Sequence, residues 1–377
     1  MQFRDLKAQY LALQEKIDAN IKEVLEEGQF ILGRQVMELE EKLAEYVGVK
    51  HCVSCANGTD ALLLVLLAWG IGPGDAVFTS DFTFVASASV ASVRGATPVL
   101  VDIDPQTFNI CPDTLEEAIK RTIQEGKITP RVIIPVDLFG LPANYPRIEE
   151  IAKKYNLLVL EDGAQGFGGH INGKKACSFG DAATTSFFPA KPLGCYGDGG
   201  AIFTNDDDLA YTLRSIRAQG RSLVDKYDNR AVGINSRLDT LQAAILLPKL
   251  EAFTEYELEA VNKLAELYTE QLSGVVKTPF IPKGYYSSWA QYTIFLENEE
   301  QRDSLRAHLK EQGIPCMVYY PRPLHTQTVF AYLGQDSYLF PNSKKAAAAV
   351  LSLPMHPYLE EKDVSMLCSE IKSFISG

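Results

Sequence analysis

Short apolar runs alternate with helix-like segments through the first half of this 377-residue chain, and that alternation restricts the fold more than any other feature. The strand-like runs are residues 76–80, 97–102, 132–136 and 157–160, and the helix-like segments are residues 61–69, 84–93, 115–122 and 145–155. Strands that are apolar on both faces and separated by helices are typical of a mainly parallel sheet covered on both sides. Ligands of such α/β folds bind beyond the carboxyl ends of the strands. The pattern places Asn57, Asp137 and Asp162 at that edge.

The length of the chain and a change of pattern near residue 250 predict two domains. A chain of this size exceeds a usual single hydrophobic core. Residues 7–46 are helical by the spacing of their apolar side chains and precede the alternating region. The region beyond residue 250 contains a charged helix to about residue 272, strand-like residues 284–296, a helix at 300–312, strand-like residues 315–320 and a terminal helix at 364–375. We expect a large domain, residues 1–250, and a smaller C-terminal α+β domain, residues 251–377.

Composition excludes several classes of protein. The hydrophobic fraction of 46% and the charged fraction of 22% are typical of a folded globular protein. A net charge of −12 argues against a nucleic-acid partner, although a local cationic pocket for an anionic small molecule can coexist with it. The sequence has no run of eighteen apolar residues and no signal-peptide core, so we expect no membrane span and a cytoplasmic location.

The cysteines and histidines do not form a metal-binding pattern. Seven cysteines form an odd, dispersed set, which suits a reducing compartment. Cys52 and Cys55 form a lone C-x-x-C within a strand-like run, which favours a buried pair of small residues over a redox or metal site. The five histidines show no zinc-type spacing. We therefore predict no structural metal.

A turn rich in glycine and proline contains one lysine, Lys191, between the apolar residues 184–188 and 201–204. Pro189 and Pro192 stiffen the backbone on both sides of it, because proline fixes φ. Most lysines lie on mobile, solvated surfaces, and that is the simpler interpretation of any one of them. A lysine held between two buried strands can instead have a lowered pKa, and a neutral amine can form a Schiff base with a carbonyl. We hypothesise that Lys191 carries pyridoxal phosphate.

Asp162 follows a predicted strand one strand before the lysine. Most aspartates in such positions cap a helix or end a strand. A buried carboxylate can also keep a pyridine nitrogen protonated, which pyridoxal phosphate requires in order to act as an electron sink. The combination of Asp162 with Lys191 indicates such a site more strongly than either residue alone.

Two further segments have both a structural and a functional interpretation. Residues 56–61 form a polar glycine turn that opens an apolar helix, and a helix N-terminus can bind a phosphate. Many strand–turn–helix junctions have the same appearance. Residues 28–33 form an apolar segment bounded by glycines, which is either a loop between helices or a loop over a site.

Six ordered motifs resemble the DegT/DnrJ/StrS-type nucleotide-sugar aminotransferases over nearly the whole chain. They are Asn57-Gly58-Thr59-Asp60-Ala61-Leu62, Thr83-Phe84-Val85-Ala86, Glu161-Asp162-Gly163-Ala164-Gln165, Ser186-Phe187-Phe188-Pro189-Ala190-Lys191, Gly197-Asp198-Gly199-Gly200-Ala201 and Asn235-Ser236-Arg237-Leu238-Asp239-Thr240-Leu241-Gln242-Ala243-Ala244. Gly163 departs from the family, in which alanine is commoner at that position. The resemblance implies the aspartate-aminotransferase fold (pyridoxal-phosphate fold type I), with a large cofactor domain and a small C-terminal domain.

The resemblance also assigns roles around the cofactor ring. Lys191 would link covalently to the cofactor and later move a proton between carbon atoms. Asp162 would pair with the pyridinium nitrogen, Gln165 would lie near the ring hydroxyl and Phe84 would stack on the ring. Some relatives carry histidine in place of the lysine and catalyse a dehydration, so Lys191 favours transamination.

The phosphate and the subunit arrangement follow from the same resemblance. Ser186 and the backbone of Gly58 and Thr59 would hold the phosphate. Asn235 would reach it across a dimer interface, which implies a homodimer with shared active sites.

The acceptor substrate is predicted from two further segments. Residues 235–239 are more similar to members that aminate a sugar at C3 than to those acting at C4. Residues 319–325 resemble the subgroup acting on UDP-linked 2-acetamido-3-keto-uronic acids, some of which carry histidine in place of Tyr319. We expect Arg237, Tyr320 and His325 to contact the substrate, with a structural role as the alternative for Arg237 and His325.

The predicted reaction is transfer of the amino group of L-glutamate to C3 of a 3-keto nucleotide sugar. Two alternatives stay open. One is a dTDP-3-keto-6-deoxyhexose aminotransferase. The other is a regulator that kept the cofactor fold and lost turnover, against which the intact set of Lys191, Asp162 and Ser186 argues.

Overall fold

The computed structural model describes residues 1–222, 224–225 and 227–376. Its helices are α1 (Leu6–Glu27), α2 (Arg34–Val47), α3 (Gly58–Ala68), α4 (Ala86–Val93), α5 (Pro112–Glu125), α6 (Tyr145–Tyr155), α7 (Asp207–Ile216), α8 (Thr240–Ala252), α9 (Leu258–Leu272), α10 (Glu299–Glu311), α11 (Pro341–Ala349) and α12 (Glu361–Ser376). Its strands are β1 (His51–Cys55), β2 (Asp75–Ser80), β3 (Thr97–Val101), β4 (Thr129–Ile134), β5 (Leu158–Asp162), β6 (His170–Ile171), β7 (Lys174–Lys175), β8 (Ala182–Ser186), β9 (Gly200–Thr204), β10 (Tyr285–Tyr286), β11 (Tyr292–Phe295) and β12 (Val350–Leu353).

The central sheet has the strand order β1-β9-β8-β5-β4-β2-β3. Neighbouring strands from β8 to β3 are parallel, whereas β9 is antiparallel to both β8 and β1. Helices α4, α5 and α6 connect the strands β2 to β5 in chain order, and the connection from β5 to β8 contains the short strands β6 and β7. The chain passes from β8 to β9 through residues 187–199 without a helix, which suits an antiparallel pair. The predicted mainly parallel α/β sheet is confirmed.

The register of the sheet brings the predicted site residues to one edge. Asp162, the last residue of β5, pairs with Thr184 of β8, and Ser186 at the end of β8 pairs with Gly200 at the start of β9. Both positions lie at the carboxyl ends of parallel strands, where α/β folds bind ligands.

The N-terminal helices pack against α8 rather than extending the sheet. Their apolar side chains meet those of α8 in two buried clusters, one containing Val36, Leu39 and Leu246 and the other Ile17 and Ile245. Helix α1 ends at Gly28, whose φ of 66° is a left-handed conformation that favours glycine. The loop at 28–33 then crosses to the start of α8, where the Thr240 N–H donates to the Phe30 carbonyl oxygen at 2.9 Å.

The C-terminal part forms its own core around the β11–β12 pair, which α9, α10 and α12 cover. Helices α8 and α9 are joined by one π-helical turn, Phe253–Glu257. The apolar contacts change near that turn, because Phe253 belongs to a cluster of the large part and Val261 to the C-terminal core. A boundary near residue 250 stays a prediction that suits this change.

The predicted strand at 315–320 is wrong. Within it, Met317 forms an isolated bridge to Ser352 of β12, and no described residue of the segment belongs to a strand. Beyond that bridge Tyr319 and Tyr320 turn towards the large part and pack beside Phe82. Tertiary contacts of the two tyrosines therefore override the local preference for extended pairing.

Within the described residues, no helix has the combination of length and hydropathy needed to cross a membrane. The same residues contain no group of three or more His, Cys, Asp and Glu side chains that could hold a metal ion. Cys52 and Cys55 are buried free thiols.

Candidate active site

A cavity of about 760 Å³ opens where the carboxyl ends of β5 and β8 meet the N-terminus of α3 and the segment before α11. Its lining includes these residues singled out from the sequence: Gly58, Thr59, Phe84, Asp162, Gln165, Ser186, Lys191 and Tyr320. Residues far apart in the chain therefore meet at the predicted edge of the sheet. The cavity also receives Gln291 and Tyr319 from the C-terminal part.

Lys191 lies in the tight turn after β8. The backbone N–H of Lys191 donates to the Phe188 carbonyl oxygen at 2.8 Å. A Cβ on Gly194 would lie only 2.5 Å from the carbonyl oxygen of Pro189, so the turn can close this tightly because that residue is glycine. Burial lowers the pKa of the Lys191 amine, the Asp162 carboxylate opposes this, and the positive charge of Arg4 adds to it. The turn thus presents an amine that is more readily neutral than a surface lysine.

Asp162 presents a buried carboxylate to the cavity. Its Oδ2 accepts a hydrogen bond from the Ser87 hydroxyl at 2.7 Å, and its Oδ1 accepts one from the Ala164 N–H at 3.2 Å. Burial raises the pKa of Asp162, whereas Ser87 and the nearby Lys191 favour the ionised form. A cationic nitrogen on a bound ring would give this carboxylate the close positive charge that stabilises it.

The N-terminus of α3 forms the anion-binding end of the cavity. The Asn57 side chain caps the helix by accepting from the Asp60 N–H at 2.8 Å. A Cβ on Gly58 would lie 2.7 Å from the Ser186 Cβ, so the glycine lets the first helical turn lie directly against Ser186. Backbone N–H groups, the helix dipole and two hydroxyls, those of Thr59 and Ser186, are therefore concentrated where a phosphate would bind.

An aromatic wall lies between these polar ends. Phe84 lines the cavity and is 53% exposed, although it lies among buried neighbours. Its ring centroid is 6.5 Å from that of Tyr320, whose hydroxyl accepts from Gln165 Nε2 at 3.1 Å. Gln165 is fixed from its other side, since its Oε1 accepts from the Phe139 N–H at 2.8 Å. A flat apolar platform is thus available to a planar ring.

These features together fit pyridoxal phosphate. The α3 N-terminus and Ser186 would hold the phosphate, Phe84 would cover one ring face, Asp162 would face the ring nitrogen and Lys191 would face the aldehyde. The fit rests on a helix N-terminus, an exposed aromatic side chain, a buried carboxylate and an amine of lowered pKa around one cavity.

Two of the predicted contacts lie outside the cavity lining of this chain. Asn235 is exposed and Arg237 is half-buried, on the segment that leads into α8. The contact of Asn235 with the cofactor phosphate across a subunit interface and the contact of Arg237 with substrate stay predictions.

His325 packs beside Asp81 and Phe340 outside the cavity lining, and its contact with substrate stays a prediction. Asp81 accepts hydrogen bonds from the His325 backbone N–H at 2.7 Å, and its other oxygen lies 2.7 Å from His325 Nδ1. The imidazole stacks on Phe340 with 4.5 Å between centroids, and its side chain is 3% exposed. Of the two alternatives for this residue, the geometry favours the structural one.

Three residues at the site were missed from the sequence. Ser87 lies on α4, after Phe84, and no local pattern marks it as a neighbour of Asp162. Gln291 has a buried Oε1 with no hydrogen-bond partner among the described residues, and no local signal marks it. Arg4 donates from Nη2 to the Lys191 carbonyl oxygen at 2.7 Å across 187 positions of sequence, which no local pattern predicts.

Comparisons with known proteins identify the family of the chain. The model of the DegT/DnrJ/EryC1/StrS aminotransferase family matches residues 12–372. A Pseudomonas aeruginosa protein named UDP-2-acetamido-2-deoxy-3-oxo-D-glucuronate aminotransferase is 50% identical over 98% of this chain and 99% of its own length. A Geobacillus stearothermophilus protein named pleiotropic regulatory protein is 45% identical over 98% of this chain and 97% of its own.

Solved structures show the same architecture. A DegT DnrJ EryC1 StrS aminotransferase from Brucella abortus superimposes with a TM-score of 0.97, at 49% identity and full coverage of both chains. The NtdA protein of Bacillus subtilis, solved with bound cofactor PMP, gives a TM-score of 0.86 at 32% identity and covers 97% of this chain and 82% of its own. This chain therefore belongs to the DegT/DnrJ/EryC1/StrS aminotransferase family and is a pyridoxal-phosphate-dependent aminotransferase.

Proposed function

We propose that the chain transfers the amino group of L-glutamate to C3 of UDP-2-acetamido-2-deoxy-ribo-hex-3-uluronate. The product would be UDP-2-acetamido-3-amino-2,3-dideoxy-glucuronate. The observation that carries the reaction type is the meeting of Lys191 and Asp162 in one cavity beside the α3 N-terminus. The choice of acceptor is supported by the name of the Pseudomonas aeruginosa relative, which matches the chain over nearly its full length.

Lys191 is the residue that would move protons in both halves of this exchange. When bound, pyridoxal phosphate supplies an electron sink for the carbon next to the amine. Removing a proton from that carbon requires a neutral base, and burial gives the Lys191 amine a lowered pKa. Asp162 would keep the ring nitrogen protonated, and its bonds to Ser87 and Ala164 fix the carboxylate in place for that purpose.

We also propose a homodimer with shared active sites, in which Asn235 reaches the partner's phosphate. Asn235 is exposed on the segment that leads into α8. Phe30 and Ile31, at 46% and 42% exposure, lie beside the start of α8 because Ile31 forms a bridge to Asp239. An exposed polar residue and two exposed apolar residues at the same end of α8 suit an interface between copies of this chain. The free cysteines suit the cytoplasm as its location.

The reaction is tested by replacing the lysine and supplying the proposed substrates. We expect Lys191→Ala to lower turnover by about 10³-fold or more, because a general acid–base group contributes about that much. Lys42→Ala is the matched control, since Lys42 is a half-exposed lysine on α2. Equal turnover in the two variants would contradict the assignment.

The acceptor is tested with the purified enzyme and two nucleotide sugars. We expect amino transfer to the UDP-linked 3-keto-uronic acid and little to a dTDP-linked 3-keto-6-deoxyhexose. Reaction with the dTDP sugar alone would overturn the choice of acceptor and leave the reaction type intact. Exchange of label between glutamate and 2-oxoglutarate tests the donor half separately.

A further inference from the structure

The first five residues cross from the C-terminal part to the catalytic turn, and we name them the N-terminal strap. Met1 packs against the C-terminal core, and the Phe3 carbonyl oxygen accepts from the Met355 N–H at 3.2 Å. Asp5 then begins α1, because its side chain accepts from the Ala8 N–H at 2.8 Å. The strap is thus anchored at both ends, with Arg4 held between the anchors.

Phe3 and Arg4 of the strap contact the active site from outside the cavity. Arg4 Nη2 donates to the Lys191 carbonyl oxygen at 2.7 Å and lies 3.5 Å from that of Pro192. The Phe3 ring lies 6.1 Å, centroid to centroid, from Tyr319, which lines the cavity. One short segment therefore touches both the lysine turn and the wall contributed by the C-terminal part.

We propose that Arg4 is a positioning residue for Lys191, which fixes the main chain of the lysine turn and brings a positive charge close to the reacting amine. Arg4 of the strap makes this contact, and the neighbouring Phe3 packs beside Tyr319, so the strap connects Tyr319 to the lysine turn. The proposal rests on the role of Lys191 in the proposed amino transfer. It does not depend on which sugar is the acceptor.

The charges around this contact determine whether Arg4 raises or lowers the pKa of Lys191. Asp162 raises the pKa of Lys191, whereas Arg4 lowers it in addition to the larger effect of burial. Arg4 itself is faced by Glu257 and Tyr319, and burial lowers its pKa to about 10. Burial also lowers the pKa of Lys249 to about 8 and that of His356 to about 4, and the charge of Arg4 adds to both shifts. At neutral pH Arg4 therefore remains protonated and disfavours a proton on Lys191.

The test is a pH titration of the visible absorbance of the cofactor-bound enzyme, which reports the protonation of the lysine nitrogen without turnover. Removing the charge with Arg4→Met should raise the midpoint by about 0.5 to 1 unit, because a like charge nearby disfavours the protonated form. Arg4→Lys keeps the charge and should stay close to the parent midpoint. Arg147→Met, at a half-exposed arginine outside the cavity lining, is the control and should not move the midpoint.

The outcomes separate the two proposals. An unchanged midpoint in a folded, cofactor-bound Arg4→Met would overturn the role of Arg4, even if its melting temperature fell. If Arg4→Met does not fold, Arg4→Gln provides the same neutral substitution with an N–H donor retained, and the same shift is required of it. Failure to aminate the proposed sugar would leave this titration measurable and would count only against the acceptor.

Discussion

Gly163 follows the cofactor carboxylate directly, and its replacement by alanine tests how tightly this turn is packed. A Cβ at this position would lie 2.6 Å from Cys177 Sγ and 3.0 Å from the Thr184 carbonyl oxygen. Optimal contacts between heavy atoms lie near 3.5 to 4 Å, so the sulfur or the turn must move by about 1 Å. Overpacking of this kind costs about 1–3 kcal/mol. The presence of glycine where relatives more often have alanine thus has a physical reason in this chain.

Cys177→Ala should rescue part of that cost, because it removes the sulfur and leaves the backbone contact with Thr184. Cys177 has a φ of 68°, and both cysteine and alanine carry a Cβ, so the backbone strain is the same in each background. We expect Gly163→Ala to cost at least about 1 kcal/mol less in the Cys177→Ala protein than in the parent. Urea unfolding of the four proteins, at one protein concentration and without cofactor, measures this difference. Additive costs would refute the contact with sulfur as the cause.

Three further predictions concern buried groups around the site. Burial raises the pKa of Asp137 to about 7, so its contribution to stability is lost as pH rises from about 4 through 7. The melting temperature of Asp137→Asn should therefore depend less on pH than that of the parent protein over this range. An equal dependence of melting temperature on pH in the two proteins would contradict this. Ser87→Ala removes a hydrogen bond to a buried carboxylate, which contributes about 1.5–3 kcal/mol to stability, so the free energy of unfolding of the cofactor-free protein in urea should fall by about that amount, and a loss below about 0.5 kcal/mol would contradict it. His325→Ala leaves Asp81 buried without its partner and should lower the melting temperature while KM for the acceptor stays within about twofold; an unchanged melting temperature with a raised KM would support a direct substrate role.

The sheet was predictable because its signals are local. Apolar runs of strand length alternate with helical periodicity, and the predicted segments 76–80 and 145–155 correspond to β2 (Asp75–Ser80) and α6 (Tyr145–Tyr155). The segment 315–320 has a similar apolar composition but lies against the large part as coil. Composition alone does not distinguish a strand from a segment held by tertiary contacts.

The chemistry-bearing residues of the site were also predictable, because each stands at a strand end or a helix start within an ordered motif. Asp162 and Lys191 were identified from the strand pattern and the glycine-rich turn, whereas the role of Ser186 came from the family resemblance. The residues that support them follow a different rule. Ser87 lies on α4, the helix that follows β2 in the chain. Its hydroxyl reaches Asp162 at the end of β5 because β2 and β5 both lie next to β4 in the sheet.

Long-range pairs account for what the sequence could not predict at this site. Arg4 and Lys191 are separated by 187 positions, and Asp81 and His325 by 244. Each pair fixes a turn that borders the cavity, one carrying the reacting amine and the other leading from β2 towards the aromatic wall. A buried charged or polar side chain is stable only with its partner in place. When that partner lies far away in the sequence, the position of the side chain depends on the assembled fold and not on the local sequence. His325, which stands in a motif that resembles a substrate-binding segment, is held in the same way by Asp81, which accepts from its backbone N–H. Reaction type is thus set by residues that local motifs identify, whereas the protonation and placement of those residues are set by partners that only the folded chain brings together.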